Sequence, residues 1–322
     1  MENTIIQLFP EKQRVFWRQT AAFQEDIQEI RLRAGRPIVI QMGGREMFLD
    51  RNGHFSDSLS GAASVFPEEL EGLLGHICHY SFYAFEDELR QGFITVKGGH
   101  RVGVAGQVVL ENDGHIRTIK NISFINIRIS HEVKGAADGV LPRMYDGGEL
   151  KSALILSPPG CGKTTLLRDL IRQISDGNEF GAGLTVGVVD ERSELAGSYC
   201  GVPQNDLGMR TDVLDACPKA TGMLLLLRSM SPRVIAIDEL GSREELEQLK
   251  SAAACGCRIL ATAHGENLED LERRFGVNRR GWEQLFDLTV LLGKKNGRCV
   301  VRQYLERRKS SGMYAGRDES YA

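Results

Sequence analysis

Nine consecutive residues, SPPGCGKTT at 157–165, have the types and spacing that hold phosphate. Gly160 and Gly162 let the backbone pass close to a phosphoryl group, and the amides from Gly160 to Thr164, at the start of a helix, would face a β-phosphate. Lys163 would bridge the β- and γ-phosphates, and the Thr164 hydroxyl would hold Mg²⁺. The usual pattern, G-x-x-x-x-G-K-[ST], opens on a glycine where this chain has Ser157. That position only begins the turn, so serine is tolerable there. Pro158 and Pro159 stiffen the approach, Cys161 is a small residue at the crest, and Thr165 closes the binding run.

Two further stretches carry chemistry. VIAIDE at 234–239 is an apolar strand ending in two acids about 75 residues after the lysine. A nucleotide hydrolase needs one carboxylate in the Mg²⁺ shell and another to activate water, roles that fall to Asp238 and Glu239. The competing reading is a core strand followed by a helix-capping acid. ILATAHG at 259–265 sets Thr262 and His264 at the C-terminal end of another strand, the edge of an open α/β sheet where ligands bind and a γ-phosphate could be sensed. A structural histidine is the alternative there.

The second half supplies elements able to position these groups. From residue 152, SALILS, TTLLRDLIRQI, LTVGVVD, LDACPKATGMLLLLRSM, RVIAID, SREELEQLKSAAACG and RILATA alternate between short apolar strands and amphipathic helices, the long LDACPKATGMLLLLRSM falling in a helix place. This predicts a buried parallel sheet with crossover helices. The first part mixes shorter signals: strand, turn, strand over 29–42, helical spacing over 67–91, a Gly-punctuated hairpin over 93–109 and a strand over 122–130. The expected organisation is an N-terminal accessory or oligomerisation domain over 1–135, a Gly-rich linker over 136–151, a P-loop domain over 152–306 and a mobile polar tail over 307–322.

At 322 residues, 42% hydrophobic and 26% charged, the chain has room for two cores, and its composition excludes large-scale disorder. A net charge of −3 and pI near 6.2 give no global reason to expect nucleic acid. Seven scattered cysteines without a C-x-x-C pair read as reduced thiols of a cytosolic protein, and His76, Cys78 and His79 lack the further ligands of a metal site. The N-terminus has no signal-peptide pattern, and the longest aliphatic block, MLLLL at 223–227, is too short to span a membrane.

With these motifs in place, the chain resembles the secretion-type hexameric ATPases that drive type II and type IV secretion and pilus systems. More narrowly, it is similar to sporulation-specific relatives of those ATPases in endospore-forming bacteria. The narrow likeness rests on SFYAFEDELRQGFITVKGGHRVGVAGQVV, SPPGCGKTTLLRDL, VVDERSELAG, GMRTDVLDACPKATGMLLLLRSMSPRVIAIDELG and ATAHG, which cover most of residues 25–300. The resemblance implies an α/β, RecA-like P-loop NTPase domain with a smaller N-terminal α+β domain. It also implies ATP and Mg²⁺ as ligands, nucleotide in the cleft between domains, and a homo-hexameric ring. VVDERSE resembles the acidic box of these ATPases, making Glu191 and Glu194 candidates to position Mg²⁺ or water, and ATAHG resembles their histidine box, which points to His264. Arg128, Arg192, Arg210 and Arg228 are candidates to sense or stabilise the γ-phosphate, with a surface or interface salt bridge the alternative for each. Where the family often has Gly before its glutamate this chain has Asp238, which puts the weight on Glu239. The implied work is done on membrane-embedded channel proteins between mother cell and forespore, by a cytoplasmic ATPase docked peripherally on the mother-cell side.

The alternative is a nucleic-acid-dependent motor on the same core. A basic run from Arg273 to Lys309 could neutralise phosphates, with Trp282 stacking on a base. Acids at 269, 270, 272 and 283 dilute that run, so it reads as a solvated or intersubunit face and nucleic acid is not the expected partner.

Overall fold

The computed structural model describes residues 4–295 and 298–307, so all but the first residue of the tail expected over 307–322 lies outside the described residues. The chain forms two compact units. One takes the described residues up to Val133 together with Arg192–Leu207; the other takes Lys134–Glu191 and the described residues from Gly208 onward.

In the first unit α1 (Thr4–Gln7) and α2 (Arg18–Ala22) precede β1 (Ile27–Arg33), β2 (Arg36–Pro37), β3 (Val39–Met42), β4 (Arg45–Leu49), β5 (Phe55–Ser56) and β6 (Ser64–Val65). Then come α3 (Pro67–Ile77), α4 (Glu86–Arg90), β7 (Phe93–Thr95), β8 (Arg101–Leu110) and β9 (Ile116–Arg128). Seven strands form an antiparallel sheet in the order β5-β4-β3-β1-β9-β8-β7. Ile27, Ile30 and Leu32 of β1 turn inward to meet Leu70, Leu73, Leu74 and Ile77 of α3, spaced to share one helix face. The helical spacing over 67–91 is broken after Ile77, because His79 and Tyr80 turn the chain through positive φ (48° and 58°) before α4.

The excursion Arg192–Leu207 is tied to this unit by polar contacts. Arg101 Nη1 donates to Glu194 Oε1 at 2.8 Å, Gly98 N to Gln204 Oε1 at 2.9 Å and Asp206 N to Glu132 Oε1 at 2.8 Å.

The second unit opens with Ala137, Val140, Leu141 and Met144 buried and the hairpin β10 (Tyr145–Asp146) and β11 (Glu149–Leu150). The Gly-rich stretch read as a passage is thus packed: its apolar residues recur at helical spacing, and the Ala137 amide donates to the buried Asp169 carboxylate at 2.8 Å. There follow β12 (Ala153–Ser157), α5 (Lys163–Asp176), β13 (Val186–Asp190), β14 (Thr211–Asp215), α6 (Lys219–Ser229) and β15 (Val234–Ile237). The unit closes with α7 (Arg243–Ala254), β16 (Arg258–His264), α8 (Leu268–Phe275), α9 (Arg279–Leu285), β17 (Leu288–Lys295) and β18 (Arg298–Glu306).

The sheet order is β14-β13-β15-β16-β12-β17-β18, parallel through β17. Every residue of β12, β13 and β15 is buried, as expected of strands covered on both faces.

Three expectations change. LDACPKATGMLLLLRSM is not one helix: its first residues finish the edge strand β14, and the helix starts only after Pro218, whose fixed φ suits a helix start. The antiparallel closing strand β18 was not anticipated. Trp282 cannot stack on a base; it is 2% exposed, packed between Phe275 and Phe286, and its Nε1 donates to Val277 O at 3.1 Å.

The first unit buries a titratable group. His100, 1% exposed, accepts the Ser130 amide on Nδ1 at 3.1 Å, which leaves Nε2–H to donate to Thr4 Oγ1 at 2.7 Å. Burial, helped by the charge of His131, pushes this imidazole down to about 4. The unfolded chain therefore takes up a proton near pH 6.5 that the folded unit refuses. The stability from neutral His100 is present above that pH and is lost as pH falls toward 4, by about 3 kcal/mol in all. Urea midpoints of the first unit should fall over this window, and His100→Asn should remove most of that part of the slope.

Candidate functional site

The C-terminal ends of β12, β15 and β16 meet at one sheet edge. In register, Ser157 lies beside His264, and Ile237 beside Ala261, which sets Asp238 and Glu239 next to Thr262 and Ala263. Ser157 is the last residue of β12, fully buried, with its hydroxyl donating to Pro158 O at 2.7 Å. Glycine is not required at this position because the backbone is still strand. The left-handed turns come later, at Gly160 (φ +67°) and Gly162 (φ +78°), where a side chain would strain the loop.

Gly162 caps α5, whose residues Leu166, Leu167, Leu170, Ile171 and Ile174 bury one face and so fix the loop against the sheet. Cys161 is buried beneath the crest. Pro158 and Pro159 lead into the loop and Thr165 follows it into the first turn of α5.

The polar groups form one connected set. Lys163 Nζ donates to His264 Nδ1 at 3.0 Å. An ammonium only donates, so Nδ1 is the acceptor and Nε2 carries the proton it gives to Glu239 Oε1 at 2.9 Å. Burial pushes the Lys163 ammonium below the ordinary lysine value, against the pull of Asp238 and Glu239.

Thr164 Oγ1 donates to Asp238 Oδ2 at 2.7 Å, leaving its lone pairs free. This hydroxyl and carboxylate are the hard oxygen pair that suits Mg²⁺ held largely through water, so the residues present fit that ion. Thr262, with no exposure, gives its hydroxyl proton to Asp238 and accepts the Glu239 amide at 2.8 Å. It orients the two acids and does not face a phosphate. Glu239 itself sits at φ 55°, a conformation rarely adopted outside glycine and held here by these bonds.

The remaining candidates are carried by other elements. Glu191 ends its part of the second unit in an ion pair with Lys219, a residue the sequence reading passed over. Glu194 and Arg192 belong to the first unit, where Glu194 pairs with Arg101. Arg101 lies 3.4 Å over the Phe93 ring and opposite Arg128 in the sheet, and Arg128 is 3.6 Å from Glu29. Burial lowers the Arg101 pKa, opposed by Glu194 and reinforced by the charges of Arg128 and Arg192, so these four side chains form one electrostatic group.

Arg210 closes the C-terminal end of α5, donating to Ser175 O at 2.9 Å and Asp176 O at 3.3 Å. That end is about 20 Å along the helix from Lys163. Arg228 is exposed in the last turn of α6. The hairpin of β17 and β18, also missed, brings Lys294 and Cys299 to the loop: their side-chain ends lie 3.6 Å and 3.4 Å from where a Cβ would stand on Gly160 and Gly162.

The sequence profile of the family described as Sporulation stage III, protein AA matches residues 1–311. Stage III sporulation protein AA of Bacillus subtilis (strain 168) is 39% identical over 282 residues, 88% of this chain and 87% of that protein. Among solved structures, the Legionella pneumophila ATPase DotB superposes with a TM-score of 0.60 at 17% identity, over 92% of this chain and 81% of its own. The pilus retraction motor PilT with bound ADP gives 0.58 at 18% identity, over 92% and 84%. At such identities the likeness speaks for the fold, that of RecA-like secretion ATPases.

Replacing Thr262 by Val keeps its shape but strands the Glu239 amide and one Asp238 oxygen. The cost should be about 1–3 kcal/mol, read as a lower denaturation midpoint of the second unit, with Thr262→Ser recovering most of it.

Proposed function

The chain belongs to the Sporulation stage III, protein AA family, and on that premise we propose that it is a Mg²⁺-dependent ATP hydrolase of the secretion type. The observation that carries this reading is the hydrogen-bonded chain Lys163, His264, Glu239 beside the Thr164 and Asp238 pair at the mouth of the phosphate loop.

In the proposed step the loop amides and Lys163 hold the β- and γ-phosphates, and Glu239 takes the proton of a water attacking the γ-phosphorus, with ADP as leaving group. Thr164 and Asp238 would hold Mg²⁺, which supplies charge neutralisation at the phosphates. His264 holds Lys163 and Glu239 in one geometry and releases the lysine to phosphate oxygens when nucleotide enters. Arg128, Arg192 and Glu194 come from the first unit, so their part in the reaction, within one chain or across a subunit boundary, depends on assembly.

That assembly is a homo-hexamer in this reading, as the resemblance to secretion-type hexameric ATPases implies. Its work is to power assembly of, or transport through, a channel between mother cell and forespore. In this reading attachment is peripheral, through membrane-embedded partners; among the described residues no helix is long and apolar enough to cross a membrane. The burial of Trp282 removes the stacking group that favoured a nucleic-acid motor.

The test is Mg²⁺-ATP turnover against protein concentration, with light scattering on the same samples and single-stranded DNA as an added condition. Turnover should rise with assembly and ignore DNA. Glu239→Gln should cut it by about 10²–10⁴-fold while nucleotide still binds, and Lys163→Ala should weaken binding itself. Wild-type turnover no higher than that of the variants would overturn the reading, and strong stimulation by DNA would favour the nucleic-acid motor.

A further inference from the structure

Among the described residues of the second unit, Lys219 is as enclosed as the phosphate-loop lysine, each 6% exposed. Its side chain is 7% exposed, and it is the first residue of α6, where the helix dipole opposes a positive charge. A buried ammonium at such a place persists because carboxylates hold it. Its Nζ is ion-paired with Glu191 Oε2 and lies 3.6 Å from Glu245 Oε1.

Those two carboxylates belong to segments that follow the neighbouring strands β13 and β15. Glu191 directly follows β13 and is the last residue before the chain leaves the second unit. Glu245 is in the first turn of α7, and its other oxygen accepts the Gly241 amide at 2.7 Å and the Ser242 amide at 3.4 Å. Gly241 and Ser242 end the turn that begins at Glu239, the residue held at positive φ. A single ammonium therefore joins the acid after β13 to the turn after β15.

We propose that Lys219 is a positioning residue of the nucleotide site, tying Glu191 to the turn that carries Glu239 so that both carboxylates keep one geometry. Its kinetic consequence rests on the ATPase reading above; the tie itself does not.

The experiment uses the full chain with Lys219→Met, Lys219→Arg, Glu191→Gln and the double variant Lys219→Met/Glu191→Gln. Amide hydrogen exchange reads the tie without turnover. In Lys219→Met the amides of Glu239, Leu240 and Gly241, all hydrogen-bonded in the native state, should exchange about tenfold faster or more, while α5 keeps its protection. Lys219→Arg should leave them near wild type. In turnover, Lys219→Met should lower kcat by about 10²-fold with little change in KM for MgATP or in affinity for a fluorescent ADP. The double variant should be no worse than the poorer single one, because both remove the same link.

Unchanged exchange at Glu239 to Gly241 in folded Lys219→Met would overturn the proposal, as would fully multiplicative losses in the double variant. If wild-type protein does not hydrolyse ATP, the ATPase reading falls and the exchange measurement still decides whether Lys219 makes the tie.

Discussion

A buried parallel sheet ends its strands at one edge, and the second unit depends on that constraint. Hydrogen-bond register alone sets Ser157 beside His264 and the acids after β15 beside Thr262. No loop has to find these partners. The apolar residues of β12, β13, β15 and β16, packed against α6 and α7 in one cluster and in contact with α5 as well, bring residues more than seventy positions apart within hydrogen-bond reach. The polar groups then occupy the one place where such strands expose backbone ends and helix starts.

Charge follows from the same packing. Among the described residues of the second unit, the two buried lysines each sit beside carboxylates or an imidazole from neighbouring strand ends or a helix start: Lys163 by His264 with Asp238 and Glu239 close by, Lys219 by Glu191 and Glu245. In a poorly solvated site such groups hold one another in fixed arrangement. The strained backbone at Glu239 belongs to this arrangement, since its amide and the next are both bound to Thr262.

Much of this was legible in the residues. The phosphate loop, the apolar strand before two acids and the strand before His264 are local patterns, and each marks its own place in the sheet. The alternation of apolar runs and amphipathic helices foretold a parallel sheet for the same reason. What local pattern does not encode is pairing. Lys219 passed unnoticed inside LDACPKATGMLLLLRSM, because its partners lie 28 residues before and 26 residues after it. β14 and β18 escaped notice because, at the sheet edges, they are less buried than the central strands, and TDVLD and RCVVRQYLE carry no long apolar run to announce a strand. Arg210 had the right type for a phosphate sensor, but its place at the far end of α5 depends on how the chain returns after residue 207.

The excursion Arg192–Leu207 makes the first unit discontinuous in sequence. A ribosome delivers residues 134–191, with the phosphate loop and β13 among them, before the segment that supplies Glu194, Gln204 and Asp206 to the first unit emerges. The amino-terminal unit, though synthesised first, cannot complete its contacts until much of the phosphate-loop unit has been made. Vectorial folding from the N-terminus would leave it waiting with Arg101 and Glu132 unpaired. The two units thus share a timetable of assembly as well as a polypeptide, and a gene cut at the apparent boundary near residue 133 would separate neither one cleanly.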